Sequence, residues 1–166
     1  IDISLSANKI HAVTATATDT AGNASVSSAA LNITIDTNTP ASPAALDLAA
    51  SDDTGDSSSD NITSNTSALT ISGTSEANAS ITLTSSIDGA VGTTTANGSG
   101  NWTLDISLTA NLAHAVTATA TDTAGNTSVS SAALNITIDT TVNAPAALDL
   151  AAADDTGTSN SDNITY

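Results

Sequence analysis

Apolar and polar side chains alternate with a period of two along much of this chain. Leu69 and Ile71 alternate with Thr70 and Ser72, and Ile81 and Leu83 with Thr82 and Thr84. Val116, Ala118 and Ala120 share one phase, and Thr117, Thr119 and Thr121 the other. Leu134, Ile136 and Ile138 alternate with Asn135, Thr137 and Asp139. Successive side chains of a strand point to opposite faces, so the pattern predicts half-buried strands rather than coil. Seven strands are expected between residues 38 and 140, near 45–48, 68–74, 80–85, 91–96, 101–106, 114–121 and 132–139. Turn chemistry separates the later ones: Asp88-Gly89, Asn97-Gly98-Ser99-Gly100 and Ala124-Gly125-Asn126. Strands this short and this closely spaced predict an all-β, two-sheet antiparallel sandwich.

The same pattern returns as a near-copy. Asp2–Thr37 recurs 103 residues later as Asp105–Thr140 with four differences in thirty-six positions. Pro43–Ser64 recurs at a spacing of 102 as Pro145–Tyr166, again with four differences. Near-copies at a domain-sized period indicate a tandem array. The expected division is residues 1–37 as the last two strands of one repeat, 38–140 as a complete repeat, and 141–166 as the first strand and acidic loop of the next. Incomplete flanks expose strand edges that need partners from elsewhere.

Composition limits the interior. There is no Cys, Met or Phe, and Trp102 and Tyr166 are the only large aromatics. Ile, Leu, Val and Ala must build the core, with Trp102 read as its anchor rather than as a sugar-stacking platform. Disulfide stapling is excluded. A formal charge of −16, with Lys9 as the only Lys or Arg, repels nucleic acid and anionic membranes and favours cations. No segment has the apolar length of a membrane-spanning helix, so direct membrane insertion is not expected.

The stretch GTSEANASITLTSS…GTTTANGSGNWTLDISL…HAVTATATDTAGNTS…LNITIDT resembles the bacterial immunoglobulin-like repeats of giant RTX (repeats-in-toxin) surface adhesins. LDLAASDDTGDSSSDNIT resembles the acidic segment that opens each such unit. The resemblance spans essentially the whole chain. It implies tandem Ig-like sandwiches acting as extender modules, which fold with calcium and stack end to end on the surface of a Gram-negative cell. There they project a distal ligand-binding domain for adhesion or biofilm formation.

The acidic residues support a metal expectation on their own. Asp47, Asp52, Asp53, Asp56 and Asp60 fall within fourteen residues and recur as Asp149, Asp154, Asp155 and Asp162, with Thr158 in place of Asp56. Hard oxygen donors without Cys or His nearby select Ca²⁺ over zinc or copper. Their spacing fits neither the EF-hand loop nor the nonapeptide calcium repeat. The competing reading is a solvated acidic loop that keeps the array soluble. In a sandwich of alternating strand directions, loop 49–67 lies at the same end as Asp139, whereas Glu76, Asn78, Asp122 and Asn126 lie at the other. End-to-end stacking would set Asp36 against Glu76 and Asp122 at one joint. At the next, Asp139 would join Asp52, Asp53 and Asp60. Ca²⁺ there would stiffen linkers that Pro40, Pro43 and Pro145 already restrict. Extracellular calcium modules bind at Kd values of roughly 0.1–1 mM, so the chain would stay unfolded in a low-calcium cytosol and fold after export.

Other signals are weaker. His11 and His114, at the same repeat position, are read as surface or edge residues. Sequons such as Asn61-Ile62-Thr63 are expected by chance in this composition. The threonines of 117–121 are read as ordinary strand residues in a single row, too narrow for ice contact. No nucleophile arrangement, phosphate loop or paired-carboxylate cleft is legible, so an enzyme is not expected. The alternative function is a module that itself binds polysaccharide or a host surface through its loops.

Overall fold

The computed structural model describes residues 2–146, 148–151, 153–156, 158, 159, 161, 163 and 165. Among them all regular structure is strand. Residues 44–138 form a sandwich of a three-stranded and a five-stranded sheet. In chain order the strands are β1 (Lys9–Val13), β2 (Leu31–Ile35), β3 (Ala44–Leu48), β4 (Ile62–Thr63), β5 (Leu69–Thr74), β6 (Ser80–Ser85), β7 (Gly89–Thr95), β8 (Asn101–Ile106), β9 (Ala113–Thr121) and β10 (Leu134–Ile138). The small sheet runs β3-β5-β8, the large one β4-β10-β9-β6-β7.

The period-two phase decides what is inside. On β9 the burial alternates strictly, with His114, Val116, Ala118 and Ala120 facing inward and the threonines outward. Leu69 and Ile71 of β5 meet Ile81 and Leu83 of β6 and Ile136 and Ile138 of β10, all fully buried. Trp102 of β8 adds the one large aromatic and is 3% exposed. Its indole lies across Gly73, its direct cross-strand partner on β5. A Cβ at position 73 would overlap the six-membered ring, so the chain uses a residue without one.

All seven expected strands are present, and an eighth was not foreseen. β4 is two residues long and pairs parallel with β10 at Thr137–Ile62 and Ile138–Thr63. It lies inside the predicted 49–67 loop, where two residues carry no readable periodicity. Irregularities bend two edges: the β3–β5 register shifts between Ala44 and Asp47, where Ala45 has φ 52°, and the β6–β7 register shifts between Leu83 and Thr84.

Strand β10 begins later than its sequence suggests, because serine side chains replace ladder partners ahead of it. Ala120 N donates to Ser128 Oγ and Ala118 N to Ser131 Oγ, each at 3.0 Å. Ser25 and Ser28 do the same for Ala17 and Ala15 in the earlier copy. There β1 and β2 pair in the register of β9 and β10, with Val13 opposite Leu31 as Val116 is opposite Leu134. The hairpin is therefore specified locally, with or without a sandwich beneath it.

Because the indole fills the space above residue 73, Gly73→Ala is expected to destabilise the sandwich by roughly 1–3 kcal/mol through overpacking. Urea denaturation followed by Trp102 fluorescence measures this directly, and an unchanged midpoint would contradict the packing described.

Candidate functional site

The acidic loop between β3 and β4 is built by its own backbone. Asp52 N and Asp53 N both donate to Ala49 O, at 2.8 and 3.1 Å, turning the chain so that the two carboxylates diverge. Asp52 Oδ2 accepts from Thr70 N at 2.9 Å and ties the loop to β5. Asp53 points inward and is 4% exposed. Its Oδ2 accepts from Asn61 N at 3.0 Å, while its Oδ1 is buried with no hydrogen-bond partner. Thr63 Oγ1 donates to Asp52 O at 2.6 Å and Asp60 Oδ1 accepts from Ile62 N, which closes the loop onto β4.

The second copy repeats this geometry. Asp154 N and Asp155 N donate to Ala151 O, Asp155 Oδ2 accepts from Asn163 N at 3.1 Å, and Asp155 Oδ1 is again buried and unpartnered. An unpaired buried carboxylate oxygen is costly, because desolvation is not repaid by a donor. Its recurrence at the repeat spacing makes it a property of the motif. Asp149 and Asp154 are exposed there, and Asp162 and Tyr166 lie outside the described residues.

The other candidate ligands are distributed as follows. Asp47 is exposed on β3. Asp139 lies beside the acidic loop: its N–H donates to Thr63 O at 2.9 Å, and it shares a cleft of about 290 Å³ with Thr54, Gly55, Ile62, Thr63, Ser64 and Thr141. Its Oδ1 accepts from Thr141 N. At the opposite end Asp122 caps its own turn, with Oδ1 accepting from Ala124 N and Asn126 N and Oδ2 from Asn126 Nδ2. Asn126 Nδ2 also donates to Asp36 O at 3.2 Å, which places the 122–126 turn against the end of β2. Glu76 is exposed in the neighbouring loop. Among the described residues no three acidic or histidine side chains converge. Any cation held here must therefore take most of its oxygens from carbonyls, hydroxyls and water, as Ca²⁺ does.

His114 departs from the expectation of a surface residue. It is 1% exposed, with Nε2 at 2.9 Å from Thr109 O and Nδ1 at 2.9 Å from Ser85 Oγ and 3.3 Å from Asp88 Oδ2. The signal was its phase, shared with Val116, Ala118 and Ala120. Serine, histidine and aspartate meet here without forming a catalytic relay. Ser85 is 2% exposed and its Oγ also accepts from Ile87 N and Asp88 N, so the hydroxyl is enclosed and engaged rather than presented to a substrate. The threonines also differ from expectation. Thr82 of β6 lies between Thr93 of β7 and Thr119 of β9, so the hydroxyl row is three strands wide.

The pKa directions follow from these bonds. Asp88 is held below the usual carboxylate range mainly by the Thr109 hydroxyl, then by Thr109 N–H, with a smaller contribution from His114. Asp122 and Asp19 are lowered chiefly by the amides of Asn126 and Asn23. A carboxylate depressed in the fold stabilises it above the unfolded pKa, and that contribution disappears as pH falls through the folded value. The melting temperature should therefore hold near neutrality and drop below about pH 4. Asp88→Asn should flatten part of that drop, and a pH series of thermal melts on the two proteins tests it.

Comparison with known proteins gives one positive result. The family model described as a bacterial Ig-like domain matches residues 39–140, more than half of the chain. No curated protein matches.

Proposed function

Because the chain belongs to the bacterial Ig-like domain family, whose fold is structural rather than catalytic, we propose that it is an extender segment of a bacterial cell-surface adhesin. Its modules are joined end to end into a rod, stiffened by Ca²⁺, that carries a distal ligand-binding domain away from the cell. In this reading the working partners of each module are the neighbouring repeats of the same chain, outside the cell.

The observation that carries the calcium part is the buried, unpartnered Oδ1 of Asp53 and its counterpart on Asp155. With one Lys and no Arg in the chain, side chains cannot supply the missing positive charge. A hard divalent cation would. Asp53 would be the anchor, with Asp52, Asp60 and nearby loop oxygens as further donors. Metal bound only by the folded form adds its binding free energy to folding.

The extender part rests on the linker. Pro40 and Pro43 are buried rather than solvated, and Asn126 reaches the carbonyl of Asp36 across the joint. A linker whose prolines are buried and restrict its dihedrals transmits orientation instead of acting as a swivel. A direct role in binding polysaccharide is the weaker reading, because the single Trp is enclosed and cannot stack on a sugar.

The 166-residue chain melted with Ca²⁺ and then with chelator tests the proposal. At about a hundredfold excess over Kd, calcium should add roughly 3 kcal/mol per site. Asp53→Ala should remove most of the gain in the 44–138 sandwich, which Trp102 fluorescence reports. A melt indifferent to both calcium and the substitution would leave the acidic loops as solubilising surface and remove calcium from the mechanism. Small-angle scattering in the same two conditions should show an extended particle losing rigidity on chelation.

A further inference from the structure

The turn between β7 and β8 repeats the design of the 122–126 turn with one chemical change. Asn97 Oδ1 accepts from Ser99 N at 2.9 Å and Asn101 N at 3.1 Å. Asp122 Oδ1 accepts from Ala124 N at 2.8 Å and Asn126 N at 2.9 Å. The backbone closures match too: Gly100 N to Asn97 O at 2.9 Å and Asn97 N to Asn101 O at 2.9 Å parallel Gly125 N to Asp122 O at 3.2 Å and Asp122 N to Asn126 O at 3.0 Å. An amide therefore stands where an equivalent turn uses a carboxylate. The residue after it is Gly98, exposed, with nothing within 4 Å of where a Cβ would be and no hydrogen bond from its N–H among the described residues.

We propose that Asn97 is a deamidation site built into the fold. The Gly98 nitrogen, its proton taken up by hydroxide, attacks Cγ of Asn97, and a new N–Cγ bond forms. The carbonyl electron pair moves onto Oδ1, where the Ser99 and Asn101 N–H groups already point as an oxyanion hole. Collapse of the adduct breaks the Cγ–Nδ2 bond, and with a proton from water the amide nitrogen leaves as ammonia. A five-membered imide remains. Water then cleaves the imide at Cγ, returning the nitrogen to the backbone and leaving aspartate at position 97. Holding nucleophile and electrophile in adjacent residues makes the step unimolecular, and water is the only co-reactant.

The fold also receives the product. An aspartate at 97 keeps both N–H bonds and becomes a second copy of the Asp122 turn, whereas the isoaspartyl isomer, with its backbone routed through Cγ, cannot. Other asparagines lack the combination. Asn23 and Asn126 donate their amides to Asp19 and Asp122, and they precede Ala24 and Thr127 rather than glycine.

The location gives the change a consequence. Gly100 O accepts from Ser75 N at 2.8 Å and Ala96 O from Asn78 N at 3.2 Å, so this turn packs on the loop that carries Glu76. It is the end of the sandwich where Asn126 touches Asp36. Conversion adds one negative charge at the end of the sandwich that carries Glu76 and Asp122, so the joint there becomes more acidic. The reaction itself does not rest on the extender reading; only this consequence does.

The test is incubation of the folded 166-residue chain in ¹⁸O-water at mildly alkaline pH, followed by peptide mass mapping. Asn97 should acquire the acid and its ¹⁸O label about tenfold faster than any other asparagine, with aspartate dominating over isoaspartate. Gly98→Val should slow it, and Asn97→Asp should melt no lower than the parent. Conversion no faster than at other asparagines, a faster rate after unfolding in guanidinium, a predominantly isoaspartyl product or a destabilised Asn97→Asp would each overturn the proposal.

Discussion

This chain must stabilise seventeen acidic side chains with a single lysine, and the loops are organised around that shortage of positive charge. Backbone and amide N–H groups do what arginine and lysine do elsewhere. Asp52 takes Thr70 N, Asp60 takes Ile62 N, Asp88 takes Thr109, Asp122 takes its own turn, and Asp139 takes Thr141 N. Each such bond restrains the loop backbone as it stabilises a carboxylate, so the acidic loops are ordered where a repelling loop would otherwise be solvated coil. The shortage fails at one place per motif, the inner oxygen of Asp53 and of Asp155. Calcium enters the functional reading at that place because the chain itself has nothing to offer.

The sandwich beneath the loops is economical. With no Phe or Met and many alanines, its interior is shallow, and contacts between small aliphatic side chains must be close to be useful. Gly73 under Trp102 is the clearest sign, since the one bulky residue fits only because its neighbour has no side chain. A core so limited favours external reinforcement, and both proposed sources are local: a metal in the acidic loop and a linker whose Pro40 and Pro43 are buried. Tandem repetition suits this, because neighbouring repeats can stabilise one another where they meet.

Strand positions were legible because the side-chain period of two is a local property. The predicted strands at 80–85 and 101–106 match β6 and β8 to the residue, and the alternation on β9 gave its inner face. The miss at β4 has a physical reason: two residues have no period, and only the parallel approach of β10 makes them a strand. The placement of Asp139 beside the acidic loop followed from counting strand directions. The expectation for His114 erred by chemistry over phase, since a polar side chain was assigned to the surface although its position was in register with the core. Ser85, Asp88 and Thr109 satisfy it there, and they come from elements no local pattern links.

The repeat, the strand pattern, the charge and the self-capped turns can all be read from the order of residues, because each depends on composition, side-chain periodicity or bonds spanning a few residues. The acidic loop belongs with these, folding alike around Asp53 and Asp155. The folded structure was needed to show that a histidine is buried and that a linker's prolines are covered. Burial and satisfaction are sums over groups distant in the chain. His11 and His114 read alike in sequence, but only His114, with two sheets closed around it, is buried.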